Sequence, residues 1–153
     1  MSCRHVALAL LAALSLLLGC SPSGQVKVYP VKGRVMFNGK PMVGGGGISF
    51  VPKTEQAGKA PGGIINPDGT YVLGTYSQDD GSMAGDFRVV IFQETVQEPQ
   101  PTPDGAPPAA AAPATVAAAD RIPHVYSMER ESPLTAKVEP KPQEINFDLK
   151  RQP

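Results

Sequence analysis

Between Val31 and Leu149 the hydrophobic positions fall largely on every second residue. That period puts one set of side chains on one face of a strand and the other set on the opposite face. In "VKGRVMF" the residues Val31, Gly33, Val35 and Phe37 share a face, with Lys32, Arg34 and Met36 opposite. Asn38-Gly39 then brings residue types that tolerate the positive backbone angles of a tight turn, and Pro41 follows in a connecting segment. "GISFVP" predicts a strand with Ile48 and Phe50 inward. "GGIIN" and "TYVLG" flank "NPDGT", where Pro67 and Gly69 suit a turn, so the pair predicts a hairpin. In "DFRVVIFQ" Phe87, Val89 and Ile91 lie on one side and Arg88, Val90 and Phe92 on the other, which predicts a central strand covered on both faces. "PLTAKV" places Leu134, Ala136 and Val138 inward, and "EINFDLK" does the same for Ile145, Phe147 and Leu149. No comparable stretch has helical period. The pattern therefore predicts an all-β fold, an antiparallel β-sandwich of about seven strands.

Two stretches break the alternation. Between Glu94 and Asp120 the chain reads "ETVQEPQPTPDGAPPAAAAPATVAAAD", with almost no bulky apolar residue to bury. Ordering a residue costs roughly 1–2 kcal/mol of backbone entropy, and this composition has little to offset it. The segment 94–120 is thus expected to be a flexible Pro/Ala-rich insertion within a single domain spanning 29–150. The other stretch is the uncharged, Ala- and Leu-rich run Val6 to Leu18, preceded by Arg4 and His5. As a helix it would be roughly 20 Å long, short of the ~30 Å hydrocarbon core, which reads as a secretory signal helix more than a membrane span.

The run ends in Leu17-Leu18-Gly19-Cys20 and turns at once into Ser-Pro-Ser-Gly. These residues resemble the bacterial lipobox. The resemblance implies that residues 1–19 are a cleaved lipoprotein signal peptide, that the Cys20 thiol receives a diacylglyceryl group, and that 20–28 form a tether. Each buried methylene is worth about 0.8 kcal/mol, so two or three acyl chains would hold the chain on a membrane. The expected location is the cell envelope, anchored by lipid and facing the periplasm or the exterior. Of the two cysteines, Cys3 would be removed and Cys20 blocked, leaving no disulfide.

Composition narrows the function classes. Fourteen basic residues balance fourteen acidic ones and form no basic run longer than the Lys150-Arg151 pair, so nucleic acid is not an expected partner. Seventeen prolines, sixteen glycines and no tryptophan favour short strands joined by turns over a helical domain.

The order "VKGRVMFNGKPM", "ISFVP", "NPDGTYVL", "GDFRVVI", "SPLTAKV" and "FDL" resembles small lipid-anchored bacterial proteins with a carboxypeptidase-regulatory-like, or transthyretin-like, domain. The resemblance covers about a hundred residues in short pieces, and its motifs are turn and strand signals. It implies an Ig-like or transthyretin-like sandwich that serves as an accessory or structural module. The same fold hosts a hydrolase of a purine breakdown product, whose chemistry needs more than one histidine and a Tyr-Arg-Gly-Ser ending. This chain ends "FDLKRQP".

Candidate chemistry is sparse. "SQDDGSMAGD" clusters Asp79, Asp80 and Asp86, but without the alternating oxygen ligands and closing Glu of a calcium loop. "VGGGGISF" has the glycines of a phosphate loop but leads into a strand, with no Lys-Ser or Lys-Thr after it. After signal removal His124 is the one histidine, near Tyr126, Ser127 and Glu129, too few ligands for zinc and no assembled base-nucleophile pair. Tyr71, Tyr76 and Tyr126 could stack on sugars if exposed. The expectation is therefore a non-catalytic, lipid-anchored structural or protein-interaction module with no cofactor and no metal. Its partners would be the membrane, through Cys20, and an envelope protein. A binder of envelope polysaccharide or another small ligand is the alternative.

Overall fold

The computed structural model describes residues 25–55, 58–97 and 114–151. The signal segment, Cys20, most of the tether and the middle of the Pro/Ala-rich segment lie outside them. The described chain is all-β and mainly antiparallel. One sheet holds β2 (Val31–Phe37), β3 (Lys40–Pro41), β4 (Gly46–Pro52), β5 (Gly62–Ile65), β6 (Thr70–Val72), β8 (Gly85–Gln93), β11 (Thr135–Val138), β12 (Gln143–Glu144) and β13 (Phe147–Leu149). Its order is β11-β8-β4-β5-β6-β2-β12, with β3 and β13 also paired to β2. Two short ribbons flank it: β1 (Val28–Tyr29) with β7 (Ser82–Met83), and β9 (Val96–Gln97) with β10 (Ala114–Thr115). The long strands read from the sequence are present, several of them cut into shorter pieces.

Local chemistry explains the turns. Asn38 and Gly39 have φ of 50° and 78°, the positive pair that matches the twist of a two-residue hairpin. The turn sends the chain back along β2, so Pro41, expected in a connection, ends a two-residue strand opposite Met36. In the β5–β6 hairpin Asp68 Oδ1 accepts from the Thr70 N–H at 2.9 Å and from the Thr70 hydroxyl at 2.6 Å. The Thr70 hydroxyl, then the Thr70 N–H, hold the Asp68 carboxyl below its usual range.

The closing segment departs from expectation. "EINFDLK" alternates as one strand, yet β12 and β13 are separate pieces that run parallel to β2, interrupted at Ile145 and Asn146. The reason lies across the ladder at Gly33. A Cβ there would sit 1.8 Å from the Ile145 carbonyl oxygen and 3.0 Å from the Tyr71 ring. That glycine lets the Tyr71 ring cross β2 and its hydroxyl donate to Ile145 O at 2.6 Å. Asn146 repairs the broken ladder by accepting the Arg34 N–H on its Oδ1 at 2.7 Å. Burial, with a smaller push from Glu144, raises the Tyr71 hydroxyl well above its ordinary range, so it stays a donor.

The two ends of the sheet are tied by side chains. Gln143 on β12 donates from Nε2 to Lys137 O at 3.1 Å on β11 and accepts the Glu139 N–H at 3.0 Å. Tyr126, on a short 3₁₀ turn spanning His124–Ser127, both donates to Lys150 O at 3.0 Å and accepts from Lys150 N at 2.9 Å. Inside the curl lie Val31, Val35, Ile48, Phe50, Ile65, Tyr71, Phe87, Val89, Ile91, Phe147 and Leu149. Burying each large side chain of this kind contributes about 1.5–3 kcal/mol. The expectation that β8 is covered on both faces holds for Val90, which is buried, and fails at Phe92, which is 53% exposed.

The segment 94–120, predicted to be flexible along its length, is structured at both described ends. Beyond the β9–β10 pair, Val116 N donates to Thr95 O at 3.0 Å. The Gln93 carboxamide then holds the returning chain to β8: Nε2 donates to Val43 O and Asp120 O at 2.9 and 3.0 Å, and Oε1 accepts the Ile122 N–H at 2.9 Å. Residues 98–113 lie outside the described residues.

Candidate functional site: the outer face of the sheet

The inner face takes the alternate residues Ile48 and Phe50 of β4, which leaves Gly47 and Ser49 facing out. The register then defines one row across the outer face. Gly47 pairs with Phe92 on β8 and with Ile64 on β5. Ile64 lies beside Val72 on β6, one step along from the Ile65–Tyr71 pair, and Val72 pairs with Lys32, which pairs with Glu144. Ile64 is 77% exposed and Val72 39%. From β4 across to β6 the neighbouring row is small, since Ser49 pairs with Gly62 and Gly62 bridges Gly74, while toward β8 Ser49 pairs with the buried Val90.

Small residues beside protruding apolar ones make a trough. One groove, of about 690 Å³, has Ile64 and Val72 as its apolar floor and Tyr76, Ser77, Gln78 and Asp79 along one wall. A second, of about 430 Å³, shares Val72 and runs on between Pro30 and Pro142, with Lys32 and Glu144. The loop wall is held by Asp80, whose carboxylate accepts the N–H groups of Thr75, Tyr76 and Ser77 at 2.6, 3.1 and 2.9 Å. Partial burial pushes the Asp80 carboxyl up, but the three N–H groups together outweigh it and hold the group below its usual range. The arriving chain touches this wall, because the Val26 N–H donates to the Tyr76 hydroxyl at 2.9 Å. The arrangement offers an apolar floor with polar rims, which suits recognition of an extended partner.

The residues singled out from sequence do not converge. Asp80 is occupied by the backbone, Asp79 stands in a left-handed turn with φ of 60°, and Asp86 lies on β8. Among the described residues no three His, Cys, Asp or Glu side chains group as metal ligands. Gly44 and Gly45, with φ of 86° and 70°, make the turn into β4. His124 is exposed, and the Ser127 hydroxyl donates to the His124 carbonyl oxygen at 2.8 Å. Tyr71 and Tyr126 are buried, so neither can stack on a sugar, and Tyr76 is half-buried. Cys20 lies outside the described residues. No described helix is long and apolar enough to cross a membrane. Sequence reading missed Ile64, Val72 and Phe92 as exposed residues. The available signal was the set of glycines at positions 47, 62 and 74, which becomes informative once strand register aligns them.

No protein family, curated protein or solved structure matches the chain.

Proposed function

We propose that this chain is a lipid-anchored cell-envelope protein, held by Cys20, whose β-sandwich module of transthyretin-like type binds an envelope protein through the outer-face trough. The single observation that carries the reading is the exposed Ile64–Val72 floor, an apolar surface with polar rims on strands whose other face is fully packed. The Leu17-Leu18-Gly19-Cys20 motif supports the anchor. From Cys20 to Gln25 the tether could reach at most roughly 20 Å, so the wall at Tyr76 would stand close to the membrane and face membrane-associated partners. In this reading the module is non-catalytic. The Ser127 hydroxyl is spent on a carbonyl, and the Tyr126 hydroxyl is used twice by Lys150. A polysaccharide partner is less well supported, since two of the three candidate stacking rings are in the core.

The test has two arms on the full chain in cells. Fatty-acid labelling and mass spectrometry should find lipid on Cys20 and none after Cys20→Ser; a mature protein with an unmodified Cys20 thiol would refute the anchor. Val72→Asp should abolish cross-linking to a defined envelope protein while leaving the fold intact. Undiminished cross-linking would remove the trough from the account.

A further inference from the structure

A third concavity, distinct from the trough, lies at the far side of Phe92. It is a cleft of about 340 Å³ between β8 and the segment 121–127. We infer that this cleft is a binding site for a small aromatic carboxylate. Its volume is at the lower end of the range for small-molecule sites. Phe92, Ile122 and Pro123 supply apolar walls, and Arg121 and His124 supply the basic groups. No acidic side chain lines it among the described residues. That imbalance selects an anion.

The aromatic part of the ligand follows from Phe92. Its ring is half exposed and lines the cleft, so a flat ligand seated there can stack on it. The carboxylate follows from Arg121. Its Nε donates to Val116 O at 3.1 Å, the one hydrogen bond its side chain makes among the described residues, which orients the guanidinium so that its NH₂ edge can meet a planar, two-oxygen acceptor. The site is also held from below. Gln93 fixes the backbone at Asp120 and Ile122 on either side of Arg121, and the paired Tyr126–Lys150 hydrogen bonds fix the 3₁₀ turn that carries His124. The groups are thus arranged before any ligand arrives, which lowers the ordering cost of binding. This inference is independent of the trough and of Cys20.

The experiment is equilibrium dialysis of 2-naphthoate against the full chain in detergent micelles, with protein-free micelles as the blank and 2-naphthylmethanol as the uncharged analogue. One naphthoate per chain should bind above the blank, and naphthylmethanol should bind at least about tenfold more weakly. Arg121→Gln should weaken naphthoate about tenfold while leaving naphthylmethanol unchanged, and Arg121→Lys should recover part of the loss. Phe92→Ala, at an exposed position, should weaken both probes. Naphthoate retention no higher than the blank, or an Arg121→Gln variant that binds it as tightly as the parent, would overturn the inference.

Discussion

The two faces of the same strands carry different side chains. On the inner face of the sheet four aromatic rings meet: Phe50 lies 5.7 Å from Phe87 and 6.1 Å from Phe147, and Tyr71 stacks on Phe147 at 6.4 Å. On the outer face of β4, β5 and β6 the corresponding positions are Gly47, Ser49 and Gly62, interrupted by Ile64 and Val72. In the proposed reading a period of two residues separates stability from recognition, so a substitution one position along a strand should move from one property to the other.

The comparison would break most visibly at Phe147. Phe147→Ala removes a ring shared by Phe50 and Tyr71 and should cost about 3–5 kcal/mol in denaturant unfolding, much of a small domain's total. A variant as stable as the parent would mean the inner face is not the source of stability. Gly33→Ala comes next, at about 1–3 kcal/mol, because its Cβ collides with the Ile145 carbonyl and displaces the junction of β12 and β13. The same measurement checks it, and Tyr71→Phe, which loses the hydrogen bond to Ile145 O while keeping the ring, should cost about 1 kcal/mol.

These two sites also show what was legible in the sequence. Phe147 is readable from alternation alone, as are Val31, Val35, Ile48 and Phe50, because burial on one face leaves a period-two trace. The Asn38-Gly39 and Asp68-Gly69 turns are readable because few residues suit those backbone angles. The parallel closing strands are not, since the break at Ile145 depends on a glycine and a tyrosine distant in the chain. Nor are the structured ends of the 94–120 segment, which depend on one amide, Gln93, reaching three backbone groups. The trough was hidden for a related reason: Gly47, Gly62, Ile64 and Val72 look like ordinary strand residues until register places them side by side. At His124 and at Asp79, Asp80 and Asp86, neighbours in sequence do not converge on one site among the described residues.

An effect of similar size sharpens the comparison at the trough wall. Asp80→Asn places an N–H₂ group against backbone donors and should cost about 1–2 kcal/mol at neutral pH. The Asp80 carboxyl is held below its ordinary value in the folded chain. Its contribution is therefore present above about pH 4 and lost as pH falls through the folded-state value. Unfolding of parent and variant should accordingly converge in acid, and a constant difference down to pH 2 would exclude the carboxylate as the cause. The smallest effect is expected on the outer face itself: Ile64→Ser should change stability by no more than about 0.5 kcal/mol, because the side chain is already mostly in water.

The most direct measurement is photo-cross-linking on intact cells from single positions of the full chain: Ile64 and Val72 in the trough, and Lys40 on the exposed strand β3 as reference. The account predicts that 64 and 72 give the same discrete protein adduct, that Lys40 does not, and that Cys20→Ser reduces the yield by releasing the chain from the membrane. The same adduct in equal yield from Lys40, or no adduct from 64 and 72, would contradict the claim that the outer face is the recognition surface.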